Sequence, residues 1–122
     1  MRRRRVGNSG LAVSRLGLGT MLWGGVADDD VCRELLVTYL EAGGSLLDTA
    51  HSYAEGRSEE IVGALLREVA RRDEVTICTK AGITRTPEHR LVDTSRGGGA
   101  SRRDGATVRL ARYRRGGARE CG

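Results

Sequence analysis

Short apolar runs alternate with two helical segments along the first eighty residues of this chain, and this order limits the fold to few classes. The runs 16–20, 45–50 and 75–79 are each five or six residues long, and the last is rich in β-branched residues. Such runs are typical of buried strands. Strands that alternate with helices form βαβ units with parallel strands and right-handed crossovers. The sequence therefore predicts an α/β fold, with the third strand buried on both faces.

Both helical segments have an apolar face and recognisable ends. Asp28 is placed to cap the first helix, which is expected to stop at the glycine pair 43–44. The second helix is expected to begin near residue 58 and to carry Arg71 and Arg72 in its last turn, where cations suit the helix dipole. The predicted apolar faces consist of Cys32, Leu35, Leu36, Tyr39 and Leu40 in the first helix, and of Val62, Leu65, Leu66 and Val69 in the second.

A turn-forming segment precedes the first apolar run. Residues 7–10 are Gly-Asn-Ser-Gly, and both glycine and asparagine adopt positive φ angles at little cost. The segment lies between Arg5-Val6 and the apolar residues 11–13. We therefore expect a small hairpin before the first core strand.

The excess positive charge of the chain lies in its C-terminal part. The 122 residues carry a formal net charge of +5. Residues 1–95 contain 13 basic and 14 acidic side chains, a net of −1, whereas residues 96–122 contain 8 basic and 2 acidic ones, a net of +6. Residues 96–122 are rich in Arg and Gly and are expected to be disordered, because they bury too little apolar surface to offset ordering entropy.

Cysteine spacing and hydropathy exclude several classes. Cys32, Cys78 and Cys121 have neither a paired nor a metal-ligand spacing, so we expect no disulfide framework and no metal site. No apolar run approaches the roughly 20 residues that a membrane-spanning helix needs. The arginines at positions 2–5 are not followed by the apolar stretch of a signal peptide. These features predict a cytoplasmic protein with no membrane segment.

Polar residues follow each predicted core strand. Gly19 and Thr20 end the first, Asp48 ends the second and Lys80 follows the third, with Tyr53 in the loop after the second. The carboxyl ends of parallel strands share one face of a barrel, which is where such folds carry out chemistry. A phenol needs a nearby cation to give up its proton near neutral pH, and a lysine held by an aspartate supplies it. Asp48, Tyr53 and Lys80 therefore predict a proton-donating site.

Several motifs, in a consistent order, resemble the start of the aldo-keto reductase family over residues from about 4 to about 94. They are Asn8-Ser9-Gly10-Leu11 to Val13-Ser14, Leu16-Gly17-Leu18-Gly19-Thr20, Trp23-Gly24-Gly25, Asp48-Thr49-Ala50 with Tyr53, Gly56-Arg57-Ser58-Glu59-Glu60 and Thr79-Lys80. The resemblance implies a (β/α)8 barrel in which NADPH gives a hydride to a small carbonyl substrate and a tyrosine protonates the oxygen.

The resemblance also assigns roles to individual residues. Tyr53 would be the general acid, and Lys80 and Asp48 the pair that lowers its pKa. Gly19, Thr20 and Trp23, together with Asp48, would lie near the nicotinamide and the substrate. Trp23 could equally be plain pocket wall. His51 has the position of a substrate-pocket or neutral loop residue, and the acidic residues after position 58 suit the electrostatics of a helix start.

The chain departs from the family in length. A barrel of this kind needs roughly 250 residues, so residues 1–95 are expected to form only its N-terminal part, a hairpin plus about three β/α units. The family's catalytic histidine should follow on a fourth strand, and His89 is too close to Lys80 to be that residue. The later contacts to NADPH are also expected to be absent. We therefore expect a truncated or frameshifted reductase after Ser95 that is inactive alone.

A second class of function remains open on sequence grounds. The basic residues after position 100 could form an arm that binds nucleic acid, although a single tyrosine there offers little stacking and no nucleic-acid-binding motif accompanies it. Open strand edges could instead be completed by a partner. The alternative to a reductase is thus a small basic-tailed interaction or nucleic-acid-binding protein, with nucleic acid the less favoured partner.

Overall fold

The computed structural model describes residues 1–85 and 88–93. The chain begins with an antiparallel hairpin of strands β1 (Arg3–Arg5) and β2 (Ala12–Ser14), in which Arg4 lies opposite Val13. Gly7 and Gly10 in its turn have φ angles of 53° and 73°, which glycine adopts without a Cβ clash. The predicted hairpin is confirmed. The predicted disordered segment 96–122 lies outside the described residues.

Three short parallel strands form the sheet that carries the rest of the fold. Strand β3 (Gly17–Gly19) pairs with β4 (Leu46–Asp48), which in turn pairs with β5 (Thr76–Cys78). Helix α1 (Asp29–Glu41) connects the first two strands, and helix α2 (Arg57–Val69) connects the second to the third. The sheet order β3-β4-β5 follows the chain order, so the predicted βαβαβ arrangement is confirmed.

Helix α1 begins and ends where the sequence predicts. The carboxylate of Asp28 accepts a hydrogen bond from the backbone N–H of Val31 at 2.9 Å, which satisfies one free donor of the first turn. Gly43, just past the end, has a φ of 81°. Cys32 and Leu36 are fully buried, but Leu35 is 46% exposed, so its predicted place on the buried face is wrong. Leu35 is rotated about 100° around the helix from Leu36, outside the narrow stripe that contacts the core.

Helix α2 buries most of one face but is shorter than the sequence predicts. Ile61, Val62, Leu65 and Leu66 are buried, whereas Ala70 is already extended, with φ −149° and ψ 157°. Arg71 and Arg72 therefore do not lie in the last turn of this helix, and that prediction is wrong. Arg71 instead pairs with Asp73 at 3.1 Å, and Arg72 opens a separate 3-10 turn, Arg72–Glu74.

The core lies between the sheet and the two helices. Its centre is formed by side chains from both helices, from the middle of β4, from the loop after β3 and from the residue before β5. These buried residues are Trp23, Cys32, Leu36, Leu47, Ile61, Val62, Leu65, Leu66 and Val75.

Strand β5 differs from its prediction as a strand buried on both faces. Val75 just before it is buried, but Thr76 and Ile77 are half-buried and Cys78 is exposed. Among the described residues β5 pairs with β4 alone, which leaves its other edge open. The prediction of a strand buried on both faces is wrong for Cys78, because no described part of the chain packs over its side chain closely enough to bury it.

A second antiparallel hairpin follows β5 and was not predicted. It consists of β6 (Ile83–Arg85) and β7 (Arg90–Val92), in which Ile83 lies opposite Val92. Leu91 and Val92 are 58% and 62% exposed, so these apolar residues of β7 do not belong to the buried core. None of the helices in the described ranges 1–85 and 88–93 is both long enough and apolar enough to cross a membrane.

Candidate active site

The parallel register brings an aspartate and a lysine together at the carboxyl edge of the sheet. Asp48 ends β4 and lies opposite Cys78 of β5, and Lys80 follows two residues later. The Lys80 Nζ donates to both carboxylate oxygens of Asp48, at 2.7 and 2.8 Å, and to the backbone carbonyl of Thr49 at 3.2 Å. Two strands thus supply the two halves of one ion pair, as the sequence predicts.

The ammonium of Lys80 also reaches the phenol of Tyr53. Nζ lies 3.3 Å from the Tyr53 hydroxyl oxygen and 5.2 Å from the centre of its ring. The ammonium has no acceptor capacity, so it donates to the hydroxyl oxygen and leaves the phenolic proton free to be donated elsewhere. Asp48, Tyr53 and Lys80 are therefore brought together in one cluster.

Hydrogen bonding keeps the Lys80 ammonium charged. The hydrogen bond to Asp48 is the largest cause that raises the pKa of Lys80 above its ordinary value of 10.5; partial desolvation opposes it, and the hydrogen bond to Tyr53 adds to the rise. The side chains of Lys80 and Asp48 are 48% and 44% exposed, so water screens the pair. A pair this exposed contributes about 1 kcal/mol or less to folding. The pair matters chiefly because it holds the positive charge of Lys80 beside the Asp48 carboxylate.

A strained turn sets the position of Tyr53. Its backbone N–H donates to the carbonyl of Ala50 at 3.1 Å, and the next three residues all have positive φ angles. These are 45° at Ala54, 55° at Glu55 and 95° at Gly56. Two successive non-glycine residues in this region store of order 1–3 kcal/mol each, which the surrounding structure must offset. These three residues connect Tyr53 to helix α2, which begins at Arg57.

A buried hydroxyl network lies behind this cluster. Ser58, at the start of α2, donates to the Thr20 carbonyl or hydroxyl, both at 2.8 Å, and lies 3.3 Å from the Thr49 hydroxyl. Thr20 in turn donates from its backbone to the Asp48 carbonyl at 3.0 Å. Thr20 is fully buried and ties β3 to β4 and α2. Thr20 therefore lies in the interior of the protein, next to the backbone of Asp48.

The remaining predicted cofactor residues differ in exposure. Gly19 is exposed beside Asp48, and a Cβ built there would meet no atom within 4 Å. The Trp23 side chain is 2% exposed and packs in the core, which agrees with a wall position. Gly19 therefore leaves open space next to the Asp48 carboxylate.

Two residues near the cluster have roles that the sequence did not indicate. Glu59 is 2% exposed and accepts a hydrogen bond from the Thr79 hydroxyl, so it does more than suit a helix start. Its second carboxylate oxygen is buried with no hydrogen-bond partner in the described part of the chain. His51 contacts backbone carbonyls on both sides of the loop after Lys80. The contacts of Glu59 and His51 join residues at least 20 positions apart in the sequence, and periodicity and local motifs cannot detect such contacts.

No group of three or more His, Cys, Asp or Glu side chains suited to a metal ion occurs within residues 1–85 and 88–93. Cys32 is buried and Cys78 is exposed, and both are free thiols. Burial is the largest cause that raises the pKa of the Cys32 thiol, so this thiol stays protonated.

Comparison with known proteins agrees with this arrangement. The chain is 39% identical over 83 residues to the aldo-keto reductase YhdN of Bacillus subtilis, and 40% identical over 82 residues to the uncharacterized oxidoreductase YqkF of the same organism. These matches cover 64% and 67% of the chain. The chain spans about a quarter of the length of these curated relatives, 25% and 26%.

A solved structure shows the same fold. The aldo-keto reductase AKR11C1 of Bacillus halodurans, solved in a holo form, superposes with a TM-score of 0.78 at 33% identity, over 91% of this chain and 37% of that one. The described strands and helices are thus part of a (β/α)8 barrel of an oxidoreductase class. The model of the aldo/keto reductase family matches residues 15–113. The chain belongs to the aldo/keto reductase family.

Proposed function

We propose that Tyr53 is the proton donor in an NADPH-dependent reduction of a small carbonyl compound to an alcohol. The observation that carries the proposal is the Lys80 ammonium, which contacts both the Asp48 carboxylate and the Tyr53 hydroxyl oxygen. When the phenol gives its proton to a carbonyl oxygen, the phenolate that remains faces a positive charge held at 3.3 Å. Asp48 keeps that charge in place.

Residues at the end of β3 and β4 fit a planar cofactor ring. NADPH, when bound, supplies the hydride that reduces the carbonyl carbon. Gly19 has no side chain and faces open space beside Asp48, so the ring could approach the backbone there. Asp48, Thr20 and Trp23 complete the proposed cofactor site. Thr20 and Trp23 are both buried, so they would support the wall of this site from behind.

We further propose that residues 1–95 form the folded unit and that the 122-residue chain turns over little by itself. The last described element, β7, ends at Val92, and the Asp93 N–H donates to the Gly82 carbonyl at 2.8 Å. The sheet described holds three of the eight strands of the family barrel. Free thiols at Cys32 and Cys78 support a reducing, cytoplasmic setting.

A chimera tests the role of Tyr53 independently of turnover by the chain alone. Residues 1–93 would replace the matching segment of the Bacillus halodurans aldo-keto reductase, and NADPH oxidation would be followed with small aldehydes and ketones. We expect turnover that falls by at least about 100-fold in Tyr53→Phe and in Lys80→Met, the range typical of general acid catalysis. A folded, nucleotide-binding Tyr53→Phe chimera that retains full turnover would exclude Tyr53 as the proton donor.

A further inference from the structure

The imidazole of His51 contacts the backbone on both sides of the loop that follows Lys80. Its Nδ1 lies 2.7 Å from the Lys80 carbonyl oxygen, and its Nε2 lies 2.6 Å from the carbonyl oxygen of Ile83. The His51 backbone N–H also points to the Lys80 carbonyl, at 3.4 Å. One side chain from the loop after β4 therefore brackets the segment 80–83, which connects β5 to the hairpin of β6 and β7.

Each ring nitrogen faces a backbone carbonyl. A backbone carbonyl cannot donate, so each of these contacts is a hydrogen bond only when the ring nitrogen carries a proton. A neutral imidazole donates to one of the two carbonyls, and an imidazolium donates to both. The imidazolium and the neutral Nδ1–H tautomer both bond the Lys80 carbonyl, and they attach the residue that bears the ammonium of the proposed site to the loop that bears Tyr53.

Lys80 has particular need of such an anchor. It lies beyond the last paired residue of β5, Cys78, and the backbone hydrogen bond that its carbonyl accepts from the His51 N–H is long, at 3.4 Å. Its side chain is nearly half exposed, and a long, exposed lysine loses considerable rotamer entropy when it is held in one position. A fixed backbone at Lys80 reduces the freedom that the contacts with Asp48 and Tyr53 must otherwise overcome.

We propose that His51 is a positioning residue that holds the Lys80 backbone so that its ammonium bridges Asp48 and Tyr53. His51 itself need not touch substrate in this role. The inference rests on the proposed function for its catalytic meaning, but the geometric claim concerns Lys80 alone and can be measured without turnover.

The sequence offers a direct probe, because Lys80 is the only lysine in the chain. Isotope-labelled lysine places a nuclear magnetic resonance signal on this one side chain, and its titration midpoint reports contact with Asp48. Asp48→Asn in the full 122-residue chain gives the midpoint of a lysine without its carboxylate. We expect His51→Ala to shift the midpoint at least halfway from the wild-type value towards that reference.

Two conservative variants separate the two ring contacts. The amide nitrogen of Asn lies as far along the side chain from Cβ as Nδ1, and that of Gln as far as Nε2, so each variant retains one donor. His51→Asn, which retains the bond to the Lys80 carbonyl, is expected to restore most of the wild-type midpoint. His51→Gln, which retains only the bond to Ile83, is expected to restore less.

Three outcomes would overturn the proposal. The first is a folded His51→Ala chain with a wild-type Lys80 midpoint, and the second is equal midpoints in the Asn and Gln variants. The third is unfolding of all three variants, seen by loss of the circular dichroism of the helices, which assigns His51 to general stability. Activity of a Tyr53→Phe chimera would refute the proposed function and leave these midpoints unaffected, so the two failures are distinguishable.

Discussion

The hydroxyl of Tyr39 offers a sharp test of how this fold is held together. It lies within hydrogen-bond distance of the Leu16 and Leu46 carbonyls, both at 2.8 Å, and it accepts from the Leu46 N–H at 3.0 Å. The Ser14 hydroxyl lies 2.9 Å away. One phenol from α1 thus joins the end of β2, the start of β3 and the start of β4.

Tyr39→Phe removes this hydroxyl and keeps the ring. The Leu46 N–H loses its acceptor, and an unsatisfied donor in a partly buried position costs about 1–3 kcal/mol. One donated bond to a carbonyl is lost as well. We therefore expect the free energy of unfolding to fall by about 2 kcal/mol, which lowers the urea midpoint by about 1 M for a small domain.

The same chemical change at the candidate active site is the matched control. The Tyr53 hydroxyl contacts Lys80 at 3.3 Å in a solvent-exposed cluster, so Tyr53→Phe should change the free energy of unfolding by less than about 0.5 kcal/mol. Urea unfolding of both variants, followed by circular dichroism, measures the difference. Equal losses in the two variants would refute the idea that the Tyr39 hydroxyl supports the sheet.

Three further tests, which use four substitutions, concern the backbone and the ion pair. Gly44→Ala should destabilise the fold by about 3 kcal/mol or more, because its Cβ would lie 2.3–2.5 Å from ring atoms of Tyr39. The control Gly63→Ala in α2 places a Cβ that meets nothing within 4 Å, so it should be neutral or stabilising, and a similar urea midpoint for both variants would contradict this reasoning. Ala54→Gly should raise the thermal midpoint, because glycine adopts the φ of 45° freely, and a lower midpoint would argue against strain in the turn. The raised pKa of Lys80 contributes stability that is fully present below about pH 10.5, the unfolded value, and is lost as the pH rises through the folded value. The stability advantage over Asp48→Asn should therefore shrink in alkali, and an advantage that stays constant there would contradict the linkage.

The elements of the fold were predictable because they are encoded locally. The Asp28 cap, the glycines after α1 and the turn of the first hairpin act within a few residues, and all three are confirmed. The end of α2 was not predicted, since periodicity does not show that Ala70 is extended or that residues 72–74 form a separate 3-10 turn, in which Glu74 accepts from the Arg71 N–H. The predicted burial of Leu35 was wrong because periodicity identifies the apolar face of a helix but not how wide the buried part of that face is.

The candidate site was predictable only in part. The positions of Asp48 and Lys80 follow from strand ends, whereas the contacts of His51 and Glu59 depend on how loops and helix starts meet across the edge of the sheet. The hairpin of β6 and β7 was not predicted because Leu91 and Val92 are consecutive, so no alternation of apolar and polar residues marks β7. Contacts between polar groups far apart in the sequence have no periodic signature, so the sequence located Asp48 and Lys80 and did not indicate the contacts of His51 and Glu59.

The geometry of the cluster follows from the period of the strand. Side chains alternate across a sheet, so residues 78 and 80 point to the same side when the chain stays extended, and Cys78 is the register partner of Asp48. Lys80 thus lies about two residues, or roughly 7 Å, beyond Asp48 along the strand direction. An aminobutyl chain can span that distance backwards, and a shorter cation could not. The parallel register therefore requires a long cationic side chain at position 80, and the ammonium placed there also lies 3.3 Å from the Tyr53 hydroxyl.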